Sequence, residues 1–232
     1  KINKRQLCKA LAISSLKLGA EFRHGVEVTG LVRDGQKITG VEIPGDKILG
    51  DKIVIAAGAW TGTLAASLGL EHFQSTYGPL AKFAPIHPVK GQNTNLQPPG
   101  CGLKIALGYQ EGIFVPQAND SIVAGPTLEQ VGFDSRVTAG GLRYILNLAT
   151  TAIPSLENSK INWTVAGLRP NTPDELPILG PLPGYDDIII ASGHHRSGIN
   201  LSPVTCNLIA DLIIGNPSPL IKHFDPTRFL KI

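Results

Sequence analysis

Along the first residues, apolar positions recur at helical spacing. Leu7, Leu11, Ser14 and Leu18 fall near one face of a helix predicted over residues 5–18, and Gly19 follows as a natural stop. Next, "VEVTGLVRDGQKITGVEI" alternates apolar and polar residues around Asp34-Gly35, which predicts a hairpin. "KIVIAAGAW" predicts a buried strand whose end is made of small residues, so that a ligand or a helix can approach the backbone closely. From about residue 61 the pattern changes. A short helix, "TGTLAASLGL", precedes strand-like pieces "AKFAPIHPVKGQ", "GIFVPQ" and "SIVAGPT", then a helix over 138–152 and "KINWTVAGLRP". Together they predict an antiparallel sheet with a covering helix. The last third returns to strand, loop and helix in "DDIIIASG", "HHRSGIN" and "LSPVTCNLIADLIIG". Ser202 is the expected N-cap of that helix, Pro203 its first residue and Gly215 its end, with Val204, Leu208, Ile209, Leu212 and Ile213 as the buried stripe.

Composition narrows the function classes. With 232 residues, 42% hydrophobic and 17% charged, the chain can bury a real core as one large domain or two small ones. A net charge of +3 without a Lys/Arg run gives no reason to expect nucleic acid as a partner. The longest apolar runs have strand length, so no membrane span is expected, and there is no signal-peptide pattern. Cys8, Cys101 and Cys206 are far apart and form no CxxC, which predicts three small core thiols in a reducing cytoplasm. The neighbouring side chains of His194 and His195 diverge, and His24, His72, His87 and His223 show no ligand spacing, so no metal is expected. There is no Met, and the opening "KINKRQLCKALAISSLKLGA" reads like the middle of a domain; a fragment or a processed chain is expected.

Two arginines stand out. Arg169 in "AGLRPNTPDELPILGPLPG" and Arg196 in "ASGHHRSGINLSP" lie in backbone restricted by Pro and Gly, as loops presenting cations to a small anion would be. The structural alternative for Arg169 is a salt bridge to Asp174 or Glu175, and for Arg196 a plain surface position. Strand, tight loop and helix N-terminus in the second stretch also form an anion-friendly geometry.

Those two stretches, in that order, resemble the C-terminal signature of the D-amino-acid oxidase and glycine oxidase family of flavoproteins. "LGAEFRHGVEVTGLVRDG" and "KIVIAAGAWTGTLAASLGL" resemble the family's middle flavin-domain segment, and "PVKGQ" at 88–92 the start of its substrate sheet. The likeness is greatest to glycine oxidases of the thiamine pathway. It implies FAD as cofactor and an α/β plus α+β fold: part of a Rossmann-like FAD-binding domain of glutathione-reductase type with an inserted antiparallel-sheet substrate domain. Residues 1–60 would be the middle of the FAD domain, 61–165 the substrate domain and 166–232 the return to the FAD domain. The family's N-terminal GxGxxG turn does not occur in this sequence, so the resemblance implies the activity of a larger parent protein.

By the same resemblance Arg169 binds the substrate carboxylate, with Arg196 beside flavin and substrate. Tyr109 offers a hydroxyl near that carboxylate, and Phe114 lines the pocket. His194, His195, Arg196, Ser197, Gly198, Ile199 and Asn200 pass along the flavin ring, with Gly198 allowing close approach. The backbone of Val28 meets the adenine, and Ala57 and Gly58 pack against the cofactor. No residue is expected to act as an essential base, since a deprotonated substrate amine can lose a hydride directly. The implied reaction is oxidative deamination of glycine or a small D-amino acid, giving an imine and hydrogen peroxide. A dehydrogenase of the same fold using another electron acceptor, and a non-catalytic substrate-binding fragment, are the alternatives. The expected partner is a small amino acid; a homo-oligomer is compatible with the sequence.

Overall fold

The computed structural model describes residues 3–70, 85–100 and 102–229. His72, the first residues of "AKFAPIHPVKGQ" and Cys101 lie outside them. Helix α1 (Lys4–Lys17) starts at Asn3, whose side chain accepts from the Gln6 amide, and ends before Gly19 at φ 90°. It buries none of its residues, and Leu11 and Leu18 are exposed. The expected hairpin forms from β1 (Gly30–Asp34) and β2 (Lys37–Ile43), and β3 (Asp46–Leu49) adds to it as an antiparallel meander.

A second sheet has the order β10-β11-β4, built from β4 (Ile53–Ile55), β10 (Ile178–Leu182) and β11 (Tyr185–Ser192). β11 runs parallel to β4 and antiparallel to β10. One face packs Ile55, Ile188 and Ile190 with Ile38 of the meander and Ala65 of α2 (Thr61–Ser67). The other packs Leu179 and Ile189 against Leu208 and Ile209 of α4 (Gly198–Ile213). Burying each such Leu or Ile side chain contributes about 1.5–3 kcal/mol. Strand β11 therefore reads as a continuous apolar run because both of its faces are covered.

The third sheet is antiparallel, in the order β6-β7-β8-β5-β9, with strands β5 (His87–Gln97), β6 (Leu107–Tyr109), β7 (Gly112–Pro116), β8 (Ile122–Gly125) and β9 (Lys160–Asn171). Helix α3 (Ala139–Ala152) covers one face, closing a core of Leu96, Phe114, Ile122, Ile145 and Leu148. Thr138 caps α3 by accepting from the Gly141 amide. β9 pairs with β5 from Lys160 through to Asn171, so the expected domain boundary at 165/166 falls inside one unbroken strand. Pairing continues through Pro170 because the register there is set by the ladder on either side.

Two expectations about side chains fail. Cys8 and Cys206 are exposed free thiols rather than core residues. Helix α4 begins at Gly198, five residues ahead of Pro203, which lies inside it. Proline cannot donate to the carbonyl of Ile199, and the hydroxyl of Ser202 donates to it instead, at 3.0 Å. The stripe turns accordingly: Thr205, Leu208 and Ile209 are buried, and Val204 and Ile213 are exposed. Among the described residues no helix is long and apolar enough to cross a membrane.

Candidate active site

Arg169 sits on β9 rather than in a loop, directly opposite Val89 of β5. Its guanidinium leans along the sheet over Gly91, where an added Cβ would overlap it. Side chains alternate along strands, so Arg169, Val89 and Gly91 share the face that α3 does not cover. Nη1 donates to the backbone oxygen of Thr127 at 3.4 Å. Among the described residues no carboxylate forms an ion pair with it. Burial, and then the charge of Arg196, push the guanidinium below its ordinary value, and it still stays charged at any physiological pH.

The two carboxylates nearest in sequence are otherwise placed. Asp174 accepts from Arg228 through both oxygens, at 2.7 Å from Nε and 3.2 Å from Nη2. Thr172 donates to the carbonyl of Leu176, closing the turn between β9 and β10, and Glu175 holds a φ of 59° there. The prolines of "LRPNTPDELP" therefore flank a turn clamped by Arg228, and the salt-bridge reading of Arg169 with Asp174 falls away.

The loop after β11 returns to the same end of β9. The amide of His195 donates to the carbonyl of Pro170 at 2.8 Å, next to Arg169, and His195 adopts a φ of 45°. Such a conformation is costly for a side chain of this size, by about 1–3 kcal/mol, and tends to be kept at functional sites. Among the described residues the buried Nε2 of His195 has no hydrogen-bond partner. Burial lowers its pKa; Glu175 opposes this, while Arg169, Arg196 and His87 add to it, leaving a mainly neutral imidazole at pH 7. His194 turns inward instead, and its Nε2 lies 2.9 Å from Thr205 Oγ1 on α4. Burial lowers this imidazole too.

Arg196 and Ser197 are exposed, and Gly198 and Ile199 are half-buried at the start of α4, with Asn200 exposed. Among the described residues a Cβ on Gly198 would meet only His194 Cβ, at the ordinary distance of 3.5 Å, so none of them demands glycine there. Ala57 and Gly58 lead from β4 into a short 3₁₀ turn, and Ser192 Oγ donates to the Gly58 carbonyl at 3.0 Å. That bond ties the small-residue end of β4 to the end of β11, just before the His194–Asn200 loop. Val28 lies ahead of β1 with its side chain against the core on the meander side.

The structure thus brings together Arg169, Arg196 and His195 around the end of β9. It does not bring Tyr109 there. Tyr109 shares the α3-covered face with Leu107 and Phe114, and it packs on that core. Alternation decides this: Leu107 pairs with Phe114 and Phe114 with Ala124, which lies opposite Thr94, on the face away from Arg169. Phe114 is fully buried in the same core. Two residues that sequence reasoning passed over contribute: Gly91 as the space beneath the guanidinium, and Asn171, which shares the face of Arg169 and has a buried Oδ1 without a partner among the described residues. Gly91 stood in the quoted "PVKGQ", but only the strand register reveals what faces it.

Residues 1–212 match the family described as DAO, FAD dependent oxidoreductase. A glycine oxidase of Pseudomonas putida is 32% identical over 225 residues, covering 97% of this chain and 57% of that protein. A bifunctional protein ThiO/ThiG of Nostoc sp. is 35% identical, covering 99% of this chain and 33% of that one. Among solved structures, glycine oxidase from Geobacillus kaustophilus superposes with a TM-score of 0.80 at 30% identity, covering 96% of this chain and 56% of the other. An L-proline dehydrogenase from P. horikoshii gives 0.83 at 27% identity, covering 96% and 59%. The chain therefore spans about half the length of the glycine oxidases it matches.

Proposed function

This chain belongs to the FAD-dependent oxidoreductase family, and we propose that it carries the substrate-carboxylate clamp and the flavin-facing loop of an oxidase acting on glycine or a small D-amino acid. One observation carries the proposal: Arg169 is half-buried, holds a single long hydrogen bond and faces a second cation, Arg196, with no carboxylate paired to it among the described residues. A guanidinium so placed is matched by an anion from outside the fold, and a carboxylate fits its two parallel N–H groups.

The residues also fit FAD. His195 Nε2 is a buried polar atom with no hydrogen-bond partner among the described residues, and Ala56, Ala57 and Gly58 carry nothing larger than a methyl group at the end of β4. The loop 194–200, this small-residue turn and the backbone at Val28 would hold the cofactor. FAD, when bound, would supply the acceptor for a hydride from the substrate α-carbon, and return of two electrons and two protons to oxygen would give hydrogen peroxide. The chain's own part is orientation. Arg169 fixes the carboxylate and with it the α-carbon, the step by which positioning accelerates transfer. Arg196 adds positive charge beside the clamp, and the N-terminus of α4 favours negative charge developing near it. No side chain is assigned as a base.

The test is anaerobic addition of glycine to the FAD-loaded protein, with visible absorption as the readout. Bleaching of the flavin bands is expected; failure of every small amino acid to bleach them contradicts the proposal. Likeness to the L-proline dehydrogenase favours a second reading, in which the reduced flavin passes its electrons to another acceptor. Rapid reoxidation in air selects the oxidase, and slow reoxidation selects the dehydrogenase.

A further inference from the structure

Three consecutive residues of β5 serve both faces of the sheet. Lys90 and Gln92 point to the α3 side and are 1% exposed each. Lys90 Nζ lies 3.0 Å from Glu129 Oε2, and Gln92 Nε2 donates to Glu129 Oε1 at 2.7 Å and to Thr138 Oγ1 at 3.0 Å. Gln92 Oε1 in turn accepts from the Thr138 amide at 2.9 Å. The hydroxyl of Thr127 donates to Glu129 and accepts from the Gln92 amide. Main-chain bonds between Lys90 and Glu129, and from the Thr127 amide to the Gln92 carbonyl, attach segment 127–129 to β5. Burial would raise the Glu129 carboxyl, but hydrogen bonds from Thr127, Gln92 and Lys90, with the charge of Lys90, outweigh it and hold the group ionised. On the opposite face, Gly91 leaves the space in which the Arg169 guanidinium rests, and Thr127 supplies the carbonyl that accepts from it.

We propose that Gly91 and the Lys90–Glu129–Gln92–Thr127 network are positioning residues for Arg169: Gly91 is the seat of the guanidinium, and the network fixes the Thr127 carbonyl that sets its reach toward a substrate carboxylate. Buried polar networks whose members are all satisfied are rigid, and a site built on strands inherits that rigidity. This rests on Arg169 being the carboxylate clamp. Gly91→Ala is the selective probe, because the added Cβ meets the flexible end of Arg169 and not backbone, so the guanidinium is displaced while the strand stays in place.

The experiment titrates glycolate and its neutral analogue glycolamide into the FAD-loaded protein by calorimetry, for wild type, Arg169→Met, Gly91→Ala and Thr127→Val. Gly91→Ala is expected to weaken glycolate about 10- to 100-fold, the scale of a lost charge-assisted contact, with glycolamide changed less than about twofold. Thr127→Val keeps the side-chain shape, removes the hydroxyl tie and is expected to weaken glycolate about three- to tenfold; should Gly91→Ala fail to fold, its ratio decides. If Arg169→Met weakens glycolate while Gly91→Ala and Thr127→Val bind it like wild type, the positioning role is overturned and the clamp stands. Equal weakening of both ligands in those two variants is loss of structure and also overturns it. If Arg169→Met binds glycolate like wild type, the clamp reading itself fails, and this inference with it.

Discussion

Arg169 and Arg228 lie on either side of the turn that joins β9 to β10, and they are held in opposite ways. Arg228 gives two bonds to Asp174, three more to the carbonyls of Phe224, Asp225 and Leu176, and lies 4.3 Å over the ring of Phe229. Its charge and its donors are accounted for within the fold. Arg169, half-buried on the face that α3 does not cover, has among the described residues one long bond to a carbonyl and another cation as its electrostatic neighbour. An arginine of the first kind stabilises the fold; an arginine of the second kind costs stability until an anion arrives. The difference separates a staple from a receptor more clearly than residue type or sequence context.

The largest expected effect breaks the receptor. Arg169→Met should lower kcat/KM for glycine in the FAD-loaded protein about a thousandfold, the scale of two charge-assisted bonds made to the substrate. Its melting temperature should stay level or rise, because an unpaired, partly buried cation is gone. Arg228→Met should do the reverse. Denaturant unfolding should show a loss of about 1–3 kcal/mol, discounted for the partial exposure of the pair, with glycine turnover retained.

A smaller effect is read by pH. The Asp174 carboxyl is held below its ordinary value of 3.8: burial alone would raise it, but hydrogen bonds from Arg228, Leu176 and Thr172, together with the charge of Arg228, outweigh burial. Its stabilisation is therefore complete above about pH 4 and lost as pH falls toward the depressed native value. Asp174→Asn should remove that part of the acid limb of the stability curve, and an unchanged acid limb would show the pair to be inert. His194 and His195 sit below 6.5 in the fold, so their contribution is present above that pH and fades as acid protonates them. The smallest effect is expected from Gly198→Ala: stability within about 0.5 kcal/mol of wild type, since the new Cβ makes an ordinary contact. A selective loss of FAD affinity in that variant would show that glycine there serves the cofactor.

Much of the architecture was legible in the chain because its periodicities are local. The 30–43 hairpin, the strand-to-small-residue end at 53–58, helix α3 and the apolar strand β11 all follow from patterns within a dozen residues. Where long-range geometry decides, the sequence was mute. Arg169 looked like a loop residue because prolines surround it, yet pairing with β5 continues through Pro170. Tyr109 could be assigned to either face until the register of three strands was known. Pro203 looked like a helix start, a position it usually fits, and only the Ser202 hydroxyl bonding Ile199 explains its place inside α4. The importance of Gly91 depends on a residue 78 positions away along the chain, and no local signal carries that.

The claim that Arg169 is a carboxylate receptor and Arg228 a staple is tested most directly by thermal unfolding of the wild type, Arg169→Met and Arg228→Met with and without sodium glycolate. A ligand that binds the native state raises its melting temperature, by an amount that grows with the logarithm of its concentration above Kd. Glycolate should raise the melting temperature of the wild type and of Arg228→Met, and leave Arg169→Met unmoved. Equal stabilisation of Arg169→Met and wild type would contradict the claim.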